Sequence, residues 1–300
     1  MFTKIPTRVL RSLCIALGFI LSFSMLNVQS ASAVDLRVLT WNSTGESANN
    51  ATELRNEINY LNGRYPRDPV KAIFNQEAKK LSGGDIYNML NNTGAGGIGL
   101  NYTRPPRHIT ELINGTGRGY NALAHNTVTI TQPLTHQNYT TDPIFHTWQK
   151  TLNPSQSNTV NDEVKNFRPP VYMEFNYSGR NVRLITWHAP IGQSGILKGC
   201  TTQGLAPLDA FLFLEQSSLI NNTTGIDIII IAGDLNMTSK DLKTKCQGYE
   251  PLKKFDGESS NLDHILAWRP SGGTVNYLEP RSTSSPSSDD HNIFSSRVNW

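Results

Sequence analysis

Short apolar runs that end in polar residues recur along the chain and predict a mixed α/β fold. Asp35–Asn42 alternates apolar and polar positions, which is typical of a half-buried strand. Residues 51–61 place apolar side chains at helical spacing, and Val70–Glu77 is a second apolar run that ends in a carboxylate. This strand–helix–strand order favours helices layered on a sheet.

The most apolar stretch of the region after residue 33 is Ile226–Asn236. It has five isoleucines in six positions, too short a run to span a membrane and too β-branched for a good helix. It therefore predicts a strand that is buried on both faces in the middle of a sheet. Asp234 and Asn236 follow as i and i+2, which point the same way in a pleated strand. The alternative is a strand followed by an ordinary Asp/Asn turn.

Further elements are predicted after residue 119. In chain order they are one or two strands over 120–131, a hairpin of 168–177 and 181–188, a helix over 205–219, a strand over 262–268 and a terminal strand after 291. The polar stretches 91–119 and 132–167 are predicted to be irregular loops, and a Ser/Pro-rich loop is expected before the terminal strand. No internal repeat and no domain linker interrupts this pattern.

The first 33 residues have the features of a secretory signal. Basic residues precede a largely apolar segment, and Ala31-Ser32-Ala33 fits the small-residue cleavage rule, so cleavage is expected before Val34. This divides the chain into a signal peptide over 1–33 and one domain over 34–300. The mature protein is expected to be secreted, or periplasmic in transit, without a stable membrane anchor. The alternative is an uncleaved anchor helix.

Removing the signal changes the charge and the cysteine count. Of 27 Lys and Arg, three (Lys4, Arg8 and Arg11) leave with it, so 24 remain against 24 Asp and Glu and the formal net charge is zero. Any site for a polyanion must therefore be a local patch. Cys200 and Cys246 remain and are expected to form one disulfide in an oxidising compartment; the alternative is two buried thiols.

Residues of types that bind metals or transfer protons stand at the ends of the predicted strands. They are Asn42, Glu77, His188, Asp234, Asn236, Asp263, Asp290 and His291. One such residue is usually structural or solvated, but a whole set at strand ends predicts a ligand site, because rigid backbone holds ligating groups there. Hydrolysis of a phosphate ester needs such a set, since a divalent cation must neutralise the anionic ester.

The oxygen donors of this set are assigned to the cation and the water. Glu77 and Asp290, supported by Asn42, are the predicted Mg²⁺ ligands, and Mn²⁺ or Ca²⁺ could substitute or assist. Zinc would require more His or Cys ligands than are grouped here. Asp234 and Asn236 are expected to orient the attacking water.

The remaining residues are assigned to proton transfer and to the phosphate. His188 and His291 are expected to transfer protons and to contact the oxyanion. Asp263 is expected to hold His291 in one tautomer, and Arg168 to clamp the phosphate with its planar guanidinium group.

Six short motifs resemble, in this order, the endonuclease/exonuclease/phosphatase superfamily. They are Thr40-Trp-Asn42, Asn75-Gln-Glu77, Thr186-Trp-His188-Ala, Gly233-Asp-Leu-Asn236, Leu262-Asp263-His and Asp290-His291. The resemblance spans nearly all of the mature chain. It is strongest to the branch of deoxyribonuclease I and the cytolethal distending toxin B subunit, through Trp41-Asn42, Gln76-Glu-Ala78 and Arg168-Pro169.

The resemblance implies a fold, an activity and a site. The fold is a four-layer α/β (α+β) sandwich, deoxyribonuclease I-like, in which two packed mixed β-sheets are flanked by helices. The activity is Mg²⁺-dependent cleavage of phosphodiesters, so residues 34–300 would be a catalytic domain. The eight residues of the set fall on the family's functional positions, and Arg168 falls on a phosphate contact.

Two departures from the family pattern concern the histidines. The closing motif carries an extra acid as Ser288-Asp-Asp290-His291, and Asp290 is chosen because it adjoins the histidine. The window 120–125, where the family supplies an acid for the first histidine, contains none. The acid partner of His188 is therefore unassigned.

A secreted metal-dependent DNA endonuclease is the expected function. Arg104, Arg107, Arg118 and Arg168 are candidates for a basic groove beside the site, and DNA is the expected substrate. If the protein is the active subunit of a toxin, delivery subunits are its expected partners; otherwise it is expected to be a monomer.

Two other functions are compatible with the residues. A phosphoinositide phosphatase or a sphingomyelinase-type phospholipase would use the same site, with Ile144-Phe145 and Trp148 as an apolar docking segment. A degenerate member of the family would bind or deliver without cleaving, and the unassigned partner of His188 is its best support.

Overall fold

The computed structural model describes fourteen parts of the chain. They are residues 33–45, 48–78, 102–103, 109–110, 119–125, 127–136, 142–151, 154, 170–189, 217–236, 238, 255–260, 262–284 and 291–300. Asp35–Trp300 forms one compact unit. The predicted signal peptide lies outside the described residues except for Ala33.

Two mixed β-sheets form the body of this unit. The strands of the first sheet are β1 (Asp35–Asn42), β2 (Val70–Ala78), β3 (Tyr102–Thr103), β4 (Ile109–Thr110), β5 (Gly119–His125), β12 (Asn276–Ser284) and β13 (Asn292–Asn299). The strands of the second sheet are β6 (Thr129–His136), β7 (Val171–Tyr177), β8 (Arg180–Thr186), β9 (Ile228–Asp234), β10 (Asp256–Ser260) and β11 (Asp263–Trp268). The strand orders are β12-β13-β1-β2-β5-β3, with β4 beside β5, and β10-β11-β9-β8-β7-β6.

The two sheets face each other across an apolar core. Leu36 and Phe74 of the first sheet share one buried cluster with Ile228 and Ile230 of the second. Every residue of β9 is buried, which confirms the central strand predicted from the isoleucine run. Burying β-branched side chains on both faces stabilises such a strand by about 25 cal/mol per Å² of apolar surface removed from water.

The first sheet is also covered on its outer face. Helix α1 (Ala48–Arg64) packs Leu54 and Ile58 against Leu39 and Trp41 of β1. Strand β1 was predicted to be half-buried, but it is buried from Leu36 to Asn42 because it lies between this helix and the second sheet. The helix itself occupies the region where the periodicity predicted one.

Several stretches differ from the sequence-based prediction. Strands β3 and β4 lie within 91–119, which was predicted to be an irregular loop, and β10 was not predicted. The Ser/Pro-rich region contains β12, a strand paired with β13, and its largely exposed polar residues explain why composition suggested a loop. The region 132–167 contains the end of β6 and helix α2 (Pro143–Gln149). The predicted helix over 205–219 lies outside the described residues up to 216, and helix α3 (Ser218–Asn221) overlaps only its end.

The strand directions place the carboxyl ends of β1, β2, β8 and β9 at one edge of the sandwich, which we call the site edge. Strands β1 and β2 are parallel, as are β8 and β9, so the carboxyl end of each pair lies on one side. The antiparallel partners β11 and β13 begin at that side, where Asp263 pairs with Asp234. No helix in the described part of the chain is long and apolar enough to cross a membrane.

Candidate functional site

Asp234, the last residue of β9, is the centre of a polar cluster at the site edge and is fully buried. Its Oδ2 accepts a hydrogen bond from Asn42 Nδ2 at 2.9 Å. The same oxygen lies 3.4 Å from His188 Nε2 and 3.5 Å from His291 Nε2. Its Oδ1 accepts a hydrogen bond from the backbone N–H of Asn236 at 2.8 Å. One carboxylate thus joins residues that come from both sheets.

Glu77 is directed into this cluster by an irregularity in β2. Between Asn75 and Ala78, three residue steps on β2 face only two on β5, so β2 carries one extra residue. Glu77 itself has a φ of +54°, in the left-handed region that a non-glycine residue rarely adopts. Its Oε1 lies 3.7 Å from His188 Nδ1. Bulges of this kind re-aim side chains at functional sites.

His188 lies two residues beyond the end of β8, between two carboxylates. Glu77 faces its Nδ1 and Asp234 faces its Nε2, so the structure supplies acids that the window 120–125 lacks. The backbone N–H of His188 donates to the hydroxyl of Tyr120, a buried residue of β5, at 3.1 Å. Nothing in the sequence pattern distinguishes Tyr120 from an ordinary core aromatic, and sequence reasoning missed it.

Asn236 reaches the site in a different way from the one predicted. The pleat argument requires extended backbone as far as Asn236, but β9 ends at Asp234 and Asn236 has a φ of +51°. The hydrogen bond from its backbone N–H to Asp234 Oδ1 closes an Asx turn. Its Nδ2 donates to the carbonyl oxygen of Ala189 at 2.5 Å, beside His188. The Asp/Asn turn that was the alternative is therefore the observed local structure.

Asp263 and His291 form the second acid–histidine pair. Asp263 was expected at the end of a strand, but it begins β11 and is fully buried. Its Oδ2 lies 3.4 Å from Nδ1 of His291, which directly precedes β13. The contact agrees with the tautomer-holding role assigned from the sequence.

The two members of this pair influence each other's proton affinity. Burial raises the pKa of Asp263 to about 6; the hydrogen bond from His291 opposes this, and the charge of Asp234 adds to it. Burial alone would lower the pKa of His291, but the hydrogen bond to Asp263 and the charges of Asp234, Asp263 and Glu77 raise it above 6.5. These interactions favour the protonated form of His291.

The raised pKa of Asp263 predicts a pH-dependent stability. Between 3.8, the ordinary pKa, and about 6, the native carboxyl holds a proton that the unfolded chain has released, so this residue makes stability fall as pH rises. His291 is protonated in both states over this window and contributes little slope. Urea unfolding in chelator should therefore show the free energy of Asp263→Asn rising relative to wild type from pH 4 to pH 6. A constant difference would contradict the raised pKa.

Four residues of the sequence-based prediction cannot be placed. Asp290, Arg168, Cys200 and Cys246 lie outside the described residues. The proposed third cation ligand, the phosphate clamp and the disulfide therefore stay predictions.

The described donors suit a hard divalent cation. Glu77, Asp234 and Asp263 bring three carboxylates into contact with two histidines, so the cluster carries excess negative charge when its acids are ionised. Asp263 Oδ1 is buried and has no hydrogen-bond partner among the described residues. No group of three or more described His, Cys, Asp or Glu side chains forms a ready-made metal cage. Mg²⁺ needs no such cage, because it is bound through one or two carboxylates and keeps several waters.

The fold is shared with solved structures at low sequence identity. A crystal structure of a humanised D. rerio TDP2 matches with a TM-score of 0.53 and 13% identity, over 89% of this chain and 99% of that one. D. rerio TDP2 complexed with a single-strand DNA product matches with a TM-score of 0.53 and 12% identity, over the same shares. An endonuclease/exonuclease/phosphatase family protein from Leptotrichia buccalis C-1013-b matches with a TM-score of 0.49 and 13% identity, over 88% of this chain and 100% of that one.

These likenesses define the fold. No protein-family model matches the chain, and no curated protein matches it significantly. The chain has the two-sheet fold of the TDP2 structures, and its two packed mixed sheets agree with the deoxyribonuclease I-like sandwich that the resemblance implied. The fold predicted from the six sequence motifs is therefore confirmed.

Proposed function

We propose that the protein is a divalent-cation-dependent phosphodiester hydrolase whose substrate is DNA. The observation that carries this proposal is the convergence at the site edge. Each of the seven described residues of the predicted set contacts at least one other member there, although they come from six separate strands or strand ends. Two histidines share one Asp234 oxygen, and a further carboxylate lies beside the other ring nitrogen of each. This arrangement suits proton transfer and the binding of a charged phosphate.

The residues perform three tasks: they hold the cation, orient the attacking water, and transfer protons to and from the reacting groups. Glu77 and Asn42 are the described residues that would hold Mg²⁺, and the bound cation would supply positive charge that offsets the charge accumulating on the phosphate. Asp234 and Asn236 orient the attacking water, because a hydrogen bond fixes their relative position.

The histidines serve the phosphate and the leaving group. His188 is fixed by its backbone hydrogen bond to Tyr120, so its Nε2 is aimed at Asp234. His291 is oriented through its Nδ1 by Asp263, which leaves Nε2 for a phosphate oxygen or for the leaving-group oxygen. Its hydrogen bond to Asp263 and the neighbouring carboxylates raise its pKa, which favours the protonated form that can donate a proton.

DNA is preferred as the substrate for two reasons. The structurally similar D. rerio TDP2 is complexed with a single-strand DNA product. The arginines at 104, 107, 118 and 168, which lie outside the described residues, could line the path of a polyanion. Export and toxin delivery subunits stay expectations from the sequence.

A plasmid assay tests the proposal. Mature protein incubated with supercoiled DNA and Mg²⁺ is expected to nick it, and a chelator is expected to abolish nicking. Phosphate release from a phosphoinositide without nicking would show that the site acts on a lipid substrate instead of DNA. Failure on both substrates, with Mg²⁺ or Mn²⁺ present, would favour the degenerate binding protein.

A further inference from the structure

The candidate site is assembled from two sheets, and among the described residues no strand of one sheet pairs with a strand of the other. Asn42, Glu77 and His291 belong to strands of the first sheet or their ends. His188, Asp234, Asn236 and Asp263 belong to the second. The distance from Glu77 to His188 therefore depends on how the sheets are placed against each other at the site edge.

Apolar packing fixes that placement only loosely. The core between the sheets is built from aliphatic and aromatic side chains, and such contacts have little directional preference. Apolar cores of correct volume retain stability more readily than they retain a unique arrangement. A catalytic constellation has to be held within about 0.5 Å, so directional contacts between the sheets are needed near it.

Gln76 makes such a contact next to the site. Its side chain is fully buried and points from β2 towards the second sheet. The amide Nε2 donates to Thr186 Oγ1 of β8 at 2.7 Å and to Thr40 Oγ1 of β1 at 3.0 Å. The backbone carbonyl oxygen of Gln76 accepts from the backbone N–H of Ser43 at 3.1 Å. Gln76 thereby connects the ends of the strands that carry Asn42, Glu77 and His188.

We propose that Gln76 is a positioning residue whose hydrogen bond to Thr186 sets the separation of Glu77 from His188. Thr186 ends β8 two residues before His188, and Gln76 directly precedes Glu77. The hydrogen bond therefore joins the two strands within two residues of both functional residues. The proposal rests on the proposed function for its kinetic consequence, but its structural consequence can be measured without activity.

Thr40 provides a matched control. Its hydroxyl accepts from Gln76 Nε2 at 3.0 Å and donates to Gln76 Oε1 at 3.5 Å, but it lies within the first sheet, where the β1–β2 ladder already pairs Asn42 with Gln76. Losing the Thr40 bond should cost stability and leave the spacing of the sheets unchanged. Losing the Thr186 bond should cost similar stability and also change the spacing.

The experiment compares Thr186→Val with Thr40→Val. Valine keeps the shape of threonine and removes the hydroxyl, so both variants leave one Gln76 N–H without its partner. We expect Thr186→Val to lower kcat about tenfold to a hundredfold with KM little changed, because a shift of about 1 Å in a site costs that much. Mn²⁺ affinity should not change, since Glu77 and Asn42 both belong to the first sheet.

Two variants separate positioning from packing. Thr186→Ser retains the hydroxyl and loses the methyl group, so it should restore kcat to within about threefold of wild type. Thr40→Val should stay within the same range. Equal losses of kcat in Thr186→Val and Thr40→Val, or an unchanged kcat in Thr186→Val, would overturn the proposal.

A spectroscopic measurement keeps the proposal testable if no substrate is hydrolysed. In protein labelled with ¹⁵N-histidine, the ring signals of His188 and His291 should move in Thr186→Val and stay in place in Thr40→Val. Unmoved signals in Thr186→Val would refute the positioning role independently of any activity. Inactive wild-type protein with moved signals would refute the proposed function alone.

Discussion

Replacement of Asp234 by asparagine is expected to abolish most of the hydrolytic activity while the protein still folds. Asn42 Nδ2, His188 Nε2 and His291 Nε2 all converge on one Asp234 oxygen. An asparagine must present an NH₂ group either to these groups or to the backbone N–H of Asn236, and it removes the negative charge that both histidines face. We expect kcat to fall on the order of a thousandfold, the range for removing one group of an acid–base apparatus.

The surface residue Asp227 supplies the control for this prediction. Asp227 precedes β9, accepts a backbone hydrogen bond from Asn181 at 2.8 Å and pairs with Arg180 at 3.4 Å, far along the strand from the site edge. Asp227→Asn should leave kcat unchanged. The measurement is plasmid nicking with Mg²⁺, after circular dichroism has verified that both variants are folded. Activity near wild type in Asp234→Asn would remove this residue from the mechanism.

Replacement of Gly233 by alanine is expected to cause a large loss of stability. The added Cβ would lie 2.3 Å from the carbonyl oxygen and 2.9 Å from the nitrogen of Trp187. Both are backbone atoms and cannot rotate away, so β9 would have to move from the chain that carries His188. We expect a loss of about 3 kcal/mol or more in the free energy of unfolding.

Gly63 is the matched control for the same substitution. It lies near the end of helix α1, and a Cβ built there meets nothing within 4 Å. Gly63→Ala should be neutral or should stabilise the protein by up to about 1 kcal/mol, since alanine is the better helix former. Urea unfolding of both variants makes the comparison. A Gly233→Ala protein as stable as wild type would show that the two backbones are not in close contact.

Much of the fold was predictable because its central elements have unambiguous patterns. The isoleucine run could only be a doubly buried strand, and β1, β2, β11 and the hairpin of β7 and β8 lie close to where alternation placed them. The prediction failed for edge strands. Strand β12 is held by backbone hydrogen bonds to β13, and its residues are largely exposed and polar, so its sequence has no hydrophobic pattern that predicts a strand.

The members of the site were also predictable, but their geometry was not. Types and order of residues singled out Glu77 and Asn236, yet both adopt positive φ values that pleated-strand reasoning cannot anticipate. The partners of His188 were hidden for a similar reason. Tyr120 and Asp234 are distant in sequence from His188. Asp234 meets it across the paired strands β8 and β9, and Tyr120 meets it from the other sheet.

The sequence by itself determined which residues form the apolar core and which chemical groups stand at strand ends, because both follow from local pattern. Only the tertiary structure decided the bulge that aims Glu77, the turn that holds Asn236 and the bond from Gln76 to Thr186. These features depend on how the two sheets meet, and residues far apart in sequence acquire a defined distance only when that packing forms.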